Sequence, residues 1–121
     1  MATLAGTGSR AGAALKATGQ TVAVAESSAG GVISASLLAV PGASAYFKGG
    51  GVVYTSGSKT TLMAVADGAM AEARAATETH ALHLARSARV RLDADWGIGE
   101  TGAAGPAGNR YGDAPGHTCI G

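Results

Sequence analysis

Three short stretches of this 121-residue chain carry side chains able to do chemistry. The first is Glu26-Ser27-Ser28-Ala29-Gly30-Gly31, which follows the run Thr21-Val22-Ala23-Val24-Ala25 and precedes Ile33, Leu37 and Val40 at helical spacing. A serine placed in a turn between strand and helix stands beside unpaired N–H groups of the helix N-terminus, which can stabilise an oxyanion or hold a phosphate. Gly30 and Gly31 permit a ligand to approach the backbone closely. The same spacing equally suits Ser27 and Ser28 as plain helix N-caps. The turn lacks both the Gly-flanked serine of the hydrolase nucleophile elbow and the Gly-Lys-Ser/Thr ending of a phosphate loop.

The second stretch pairs Tyr54 with Lys59. A serine needs a base to become a nucleophile, and no histidine is spaced to suggest a Ser-His-Asp set. A lysine whose pKa is lowered by desolvation or a nearby positive charge is the chemical alternative. Read plainly, Lys59 is an exposed solubilising residue and Tyr54 a half-buried strand aromatic. The third stretch, Gly99-Glu100-Thr101-Gly102-Ala103-Ala104-Gly105-Pro106-Ala107-Gly108, is a strand end running into a glycine-rich loop. Gly102 and Gly105 allow successive backbone N–H groups to face one anion, and Thr101 adds a hydroxyl. A tight connection without a ligand has the same composition.

The elements that must position these residues follow from periodicity. Leu4, Ala11, Ala14, Leu15 and Ala17 predict a helix over 4–18 stopped by Gly19. A strand buried on both faces is expected at Thr21–Ala25, and a helix over Val32–Val40 ended by Pro41-Gly42. Ala43–Lys48 and Gly49-Gly50-Gly51 lead into a second strand at Val52-Val53-Tyr54. Ser56–Lys59 reads as polar punctuation before a short helix around Leu62, Met63 and Val65. Residues 69–92 read as helical, with a new cap at Thr77–Glu78, and Arg86, Arg89 and Arg91 on its polar face. A third strand is expected over Trp96–Thr101, then a loop from Gly102 to Gly116, then an apolar stub, His117–Ile120. Helices and strands alternate, which favours an α/β layered fold in one domain spanning 1–121.

Composition sets the limits. The chain holds 28 Ala and 20 Gly but only 24 residues of Leu, Ile, Val, Met, Phe and Trp, so half of its nominal apolar content is methyl-sized. Small side chains let helices lie close to a sheet, but each removes little area from water, and self-association is one remedy. A net charge of +1 without a dense Lys/Arg run gives no reason to expect a nucleic-acid partner. No apolar stretch of about 18 residues and no basic-then-apolar leader occurs, so neither a membrane partner nor secretion is expected, and a cytoplasmic location is. One cysteine, Cys119, excludes a disulfide framework. His80 and His83, at i and i+3, read more simply as residues at a solvated helix edge than as metal ligands. The sequence calls for neither metal nor cofactor.

Taken together, four ordered motifs resemble one family. They are Ala25-Glu26-Ser27-Ser28-Ala29-Gly30-Gly31, Tyr46-Phe47-Lys48-Gly49-Gly50-Gly51-Val52-Val53-Tyr54-Thr55-Ser56 with Lys59, Thr101-Gly102-Ala103-Ala104-Gly105-Pro106, and the closing Pro115-Gly116-His117-Thr118. Their order and spacing are similar to those of the CinA C-terminal domain, a family that includes nicotinamide-nucleotide amidohydrolases. The resemblance implies a three-layer α/β/α sandwich that hydrolyses the carboxamide of nicotinamide mononucleotide to nicotinic acid mononucleotide and ammonia. It implies Ser27 as nucleophile, Lys59 as general base, and Tyr54 and Thr101 as partners of the reacting centre. Glu26, Gly30, Gly31, Gly102 and Gly105 are then expected to bind a pyridine-nucleotide substrate. The chain departs from the family where Ala29 replaces the usual Thr and where Tyr54-Thr55-Ser56 replaces Tyr-Ser-Asn. Family members continue through a further strand and a final helix bearing a basic motif suited to the nucleotide phosphate. A domain without that segment is expected to expose a sheet edge and to form homo-oligomers or take a covering partner. A non-catalytic relative, or a nucleotide-binding module without turnover, is the alternative reading.

Overall fold

The computed structural model describes residues 2–121. Four strands, β1 (Val22–Glu26), β2 (Phe47–Val52), β3 (Trp96–Ala103) and β4 (His117–Ile120), form one sheet in the order β2-β1-β3-β4. β1 pairs in parallel with β2 and β3, and β4 closes the far edge antiparallel to β3. The helices are α1 (Leu4–Thr18), α2 (Val32–Leu38), α3 (Ser56–Met63), α4 (Asp67–Glu72) and α5 (Glu78–Arg91), with a single 3₁₀ turn at Ala43–Ala45.

Alternation along β1 divides the core into two layers. Val22 and Val24 pack with Leu37, Ala43 and Tyr46 beneath α1 and α2. Ala23 and Ala25 face the other way and join Val53, Met63, Val65, Leu84 and Ala88 beneath α3 and α5. The result is the expected α/β/α sandwich. Buried on both faces, β1 reads as a continuous run of small and β-branched residues, as a central parallel strand should.

Local chemistry sets the element ends. Thr3 and Thr77 cap α1 and α5 by accepting the N–H groups of Gly6 and His80, and Gly19 closes α1 in the left-handed conformation. Thr77 thus interrupts the 69–92 helical pattern, splitting it into α4 and α5. Two boundaries differ from expectation. The Gly49-Gly50-Gly51 run lies inside β2, and Tyr54 lies beyond it, 72 % exposed. The glycines are needed in the strand because neighbours fill the space above them: a Cβ on Gly50 would stand 2.6 Å from the Ser34 hydroxyl, and one on Gly51 2.7 Å from Met63. Ser56–Lys59, read as punctuation, is the first turn of α3, where Thr55 and Ser58 form a reciprocal capping box. His80 also departs from its expected solvated edge. It is buried, with Nδ1 3.0 Å from the Ala73 carbonyl, because α5 turns this face onto the sheet.

The closest layer contact is α5 on β3. Ideal Cβ atoms on Gly97 and Gly99 would lie 2.0 Å from the carbonyl oxygens of Ala85 and Ala81. Backbone touches backbone here, so neither side can yield by a rotamer change. Gly99→Ala is therefore expected to lower stability by about 1–3 kcal/mol through overpacking, measured by urea denaturation. Gly57→Ala, whose Cβ would meet nothing within 4 Å, is the control and is expected to leave stability nearly unchanged.

Candidate active site

The strand order places β1 between β2 and β3, with α2 leaving over one face and α3, α4 and α5 returning over the other. Such a reversal opens a crevice at the carboxyl ends of the strands. Ser27 follows β1, Tyr54 follows β2, and Thr101 and Gly102 lie near the end of β3. Lys59 reaches the same place from the first turns of α3. All five line one cavity of about 370 Å³, together with Ala76 from the segment before α5 and Asn109, Arg110 and Tyr111 from the loop after β3. Residues far apart in the chain thus meet where the topology puts a binding site.

Two buried carboxylates hold the turn that carries Ser27. Glu26, fully buried, accepts the N–H groups of Gly31 and Ile33 on Oε1, at 3.2 and 2.9 Å, and of Ser34 on Oε2, at 2.8 Å. Glu100, 1 % exposed, accepts the N–H groups of Ser27 and Ala29 on Oε2, each at 2.9 Å, and the Ser28 hydroxyl on Oε1. Removing carboxylates from water costs several kcal/mol each, and charge-assisted hydrogen bonds to backbone donors offset it.

This corrects two expectations. Glu26 does not line the cavity: it is fully buried and both of its oxygens are engaged by backbone amides. The N–H groups at the start of α2 are not open to an oxyanion either, because Glu26 caps them. Gly30 and Gly31 have positive φ, 65° and 104°, and close the turn, but neither lines the cavity. Gly102 does line it. Gly105, also at positive φ, lines the adjoining hollow of about 230 Å³ between Ser28, Tyr54 and the 103–109 loop.

The Ser27 hydroxyl forms no hydrogen bond among the described residues, so it is uncommitted, and it does not bond directly to Lys59. Lys59 is 2 % exposed and has neither a hydrogen bond nor an ion pair from its amine among the described residues. Desolvation holds its pKa below the ordinary lysine value, and the charge of Glu100 opposes that shift in part. A buried lysine without a carboxylate partner is the requirement for a neutral amine. The Thr101 Oγ1 accepts the Ala76 N–H at 2.9 Å, leaving its O–H free to donate. Ala76 sits at φ 61°, a costly angle for a residue with a Cβ, and is held there by Thr101 and by His117, whose Nε2 lies 2.8 Å from its carbonyl.

Among the described residues, no cluster of His, Cys, Asp and Glu is arranged to hold a metal, and no helix is long and apolar enough to cross a membrane. Sequence reading missed Glu100 as the clamp on the turn, and it missed Asn109, Arg110 and Tyr111. A carboxylate inside an apolar strand was the available signal for Glu100. The Asn109-Arg110-Tyr111-Gly112-Asp113 turn signal was visible, but its direction was not.

If the glutamates hold the turn as described, Glu26→Gln is expected to cost about 1–3 kcal/mol, because the amide nitrogen must face a backbone donor on one side. Ser27→Ala, which removes no hydrogen bond, is expected to change stability by no more than about 0.5 kcal/mol. Chemical denaturation of both variants checks the pair.

The family model described as the CinA C-terminal domain matches residues 6–121. A CinA-like protein of Gloeobacter violaceus is 43 % identical over 100 residues, covering 83 % of this chain and 24 % of that protein. One from Synechococcus sp. (strain CC9902) is 41 % identical over 102 residues, covering 84 % and 24 %. The chain therefore spans about a quarter of the length of these curated relatives. Among solved structures, the competence or damage-inducible protein of Enterobacter asburiae superposes with a TM-score of 0.90 at 28 % identity, covering 99 % of this chain and 76 % of that one. A CinA superfamily protein of Enterobacter cloacae gives 0.89 at 29 %, covering 99 % and 71 %.

Proposed function

Since the chain belongs to the CinA C-terminal domain family, we propose that it is an amidohydrolase that releases ammonia from the carboxamide of nicotinamide mononucleotide, using Ser27 and Lys59. The observation that carries this reading is an uncommitted serine hydroxyl and a desolvated, unpaired lysine amine on the wall of one cavity.

The chemistry runs in two halves. Neutral Lys59 takes the Ser27 proton as the oxygen attacks the carboxamide carbon, forming a tetrahedral oxyanion. The Thr101 hydroxyl is available to donate to the reacting centre, and Tyr54 lines the same cavity. The backbone N–H of Ser28, which follows the nucleophile, makes no hydrogen bond among the described residues and is the natural oxyanion donor. Lys59 then returns its proton to the departing nitrogen, which leaves as ammonia, and an acyl ester remains on Ser27. Water, deprotonated by Lys59, attacks the ester carbon, the bond to Ser27 Oγ breaks with Lys59 returning the proton to that oxygen, and nicotinic acid mononucleotide leaves. The serine and lysine do not hydrogen-bond to each other in this structure, and catalytic hydrogen bonds commonly tighten only when substrate arrives.

A second reading, a nucleotide-binding domain without turnover, is favoured by the capture of five turn and helix amides by Glu26 and Glu100, which removes donors an oxyanion would use. Equilibrium binding of nicotinamide mononucleotide with no ammonia release would select it.

Purified protein given nicotinamide mononucleotide is expected to release ammonia, with Ser27→Ala and Lys59→Ala each lowering kcat by about a hundredfold or more. Activity that survives both changes would refute the mechanism. The base must be uncharged to act, so kcat/KM is expected to rise with pH and level off below the ordinary lysine value of about 10.4. A profile still rising through that value would place Lys59 in water.

A further inference from the structure

The proposed reaction uses the inner wall of the cavity and leaves its mouth unexplained. The mouth is built by the loop after β3, and a network about Asp113 fixes that loop. Asp113 accepts two hydrogen bonds from Arg74, at 2.9 and 3.3 Å, and one from Asn109 Nδ2 at 2.8 Å. Asn109 Oδ1 in turn accepts the N–H groups of Tyr111 and Asp113, at 3.0 and 3.1 Å. The Arg74 guanidinium lies 4.6 Å from the centre of the Tyr111 ring. Side chains at the tip are therefore presented on a tied loop.

Two arginines approach Tyr111, but only one is committed. Arg74 gives its donors to Asp113 and to the Ala75 carbonyl. Arg110 packs 5.0 Å from the same ring centre and donates through Nη2 to the Tyr111 hydroxyl at 2.9 Å. It has no carboxylate partner among the described residues. A guanidinium has five N–H donors, so most of its fork remains unused. Arg110 is the permanently charged residue on the cavity wall, beside the desolvated Lys59 amine, and among the described residues no acidic one lines it. A cationic mouth selects anions, and a planar fork matches the oxygens of a phosphate in bidentate fashion. The volume of about 370 Å³ is within the usual range for small-molecule sites.

We propose that Arg110, steadied by Tyr111, is the phosphate anchor of this cavity, holding a nucleotide so that its far end lies against Ser27. The assignment rests on the amidohydrolase reading for the identity of the nucleotide, but not for the charge it recognises. Arg110 is a positioning residue. Its contribution is to binding rather than to the reacting atoms, so it should appear in KM and leave kcat nearly intact.

The test separates the anchor from the chemistry. Nicotinamide mononucleotide and nicotinamide riboside, which differ by the phosphate, are titrated calorimetrically into the Ser27→Ala protein, with and without Arg110→Gln or Arg110→Lys. The mononucleotide is expected to bind about ten- to a hundredfold tighter than the riboside, as a charge-assisted pair allows. Arg110→Gln should abolish that ratio, and Arg110→Lys should keep part of it. In turnover with intact Ser27, Arg110→Gln should raise KM for the mononucleotide by a similar factor. Preference for the mononucleotide that depends on Arg110, without ammonia from the parent protein, would support the anchor while the amidohydrolase reading fails. Equal binding of the two ligands, no binding of either, or a ratio untouched by Arg110→Gln would overturn the anchor, whatever ammonia is released.

Discussion

Everything at this site depends on two carboxylates being buried where only backbone amides can compensate them. Glu26 ends β1 and Glu100 lies opposite it on β3, in register. Between them they accept the N–H groups that fix the course of residues 27–34. A carboxylate removed from water is tolerated only when its oxygens are satisfied, so the turn has few alternative conformations. This is how a flexible Ser-Ser-Ala-Gly-Gly sequence becomes a rigid support for one serine hydroxyl. The same device occupies most of the backbone donors of the turn, and it leaves the Ser28 amide and the Thr101 hydroxyl proton without an acceptor among the described residues.

The small residues have a matching purpose. Gly97 and Gly99 bring the backbone of α5 onto β3, and Gly50 and Gly51 admit Ser34 and Met63 against β2. The methyl-rich composition is therefore a condition of thin, closely apposed layers. Thin layers let Lys59, on α3, lie within reach of the strand ends while remaining almost fully out of solvent. Its lowered pKa is a consequence of that packing and not of a neighbouring cation, since the nearby Glu100 acts in the opposite direction.

Much of this was legible in the sequence, and the exceptions have physical causes. Periodicity gave α1, β1, the break at Thr77 and the third strand, because each has an apolar pattern or a cap that does not depend on distant residues. The second strand was placed too late, because glycines carry no side-chain pattern and Gly49–Gly51 read as a connection; only the neighbours above them show why they are strand residues. Ser27, Tyr54, Lys59, Thr101 and Gly102 were found by motif and do line one cavity. The role of Glu26 was misjudged because a motif records proximity in the chain and not which way a carboxylate faces. Glu100 escaped because its partners, Ser27, Ser28 and Ala29, lie more than seventy residues away, and Arg110 and Tyr111 because the local turn chemistry does not show which cavity the 103–116 loop faces.

The proposed chemistry requires an amine deprived of water in the same cavity as the Ser27 alcohol. Direct titration of the Lys59 side chain by nuclear magnetic resonance, with lysine labelled at the ε position and assigned through Lys59→Arg, reads this without relying on turnover. A midpoint clearly below the ordinary lysine value of about 10.4 is predicted. A Lys59 that titrates at that ordinary value would contradict a desolvated amine.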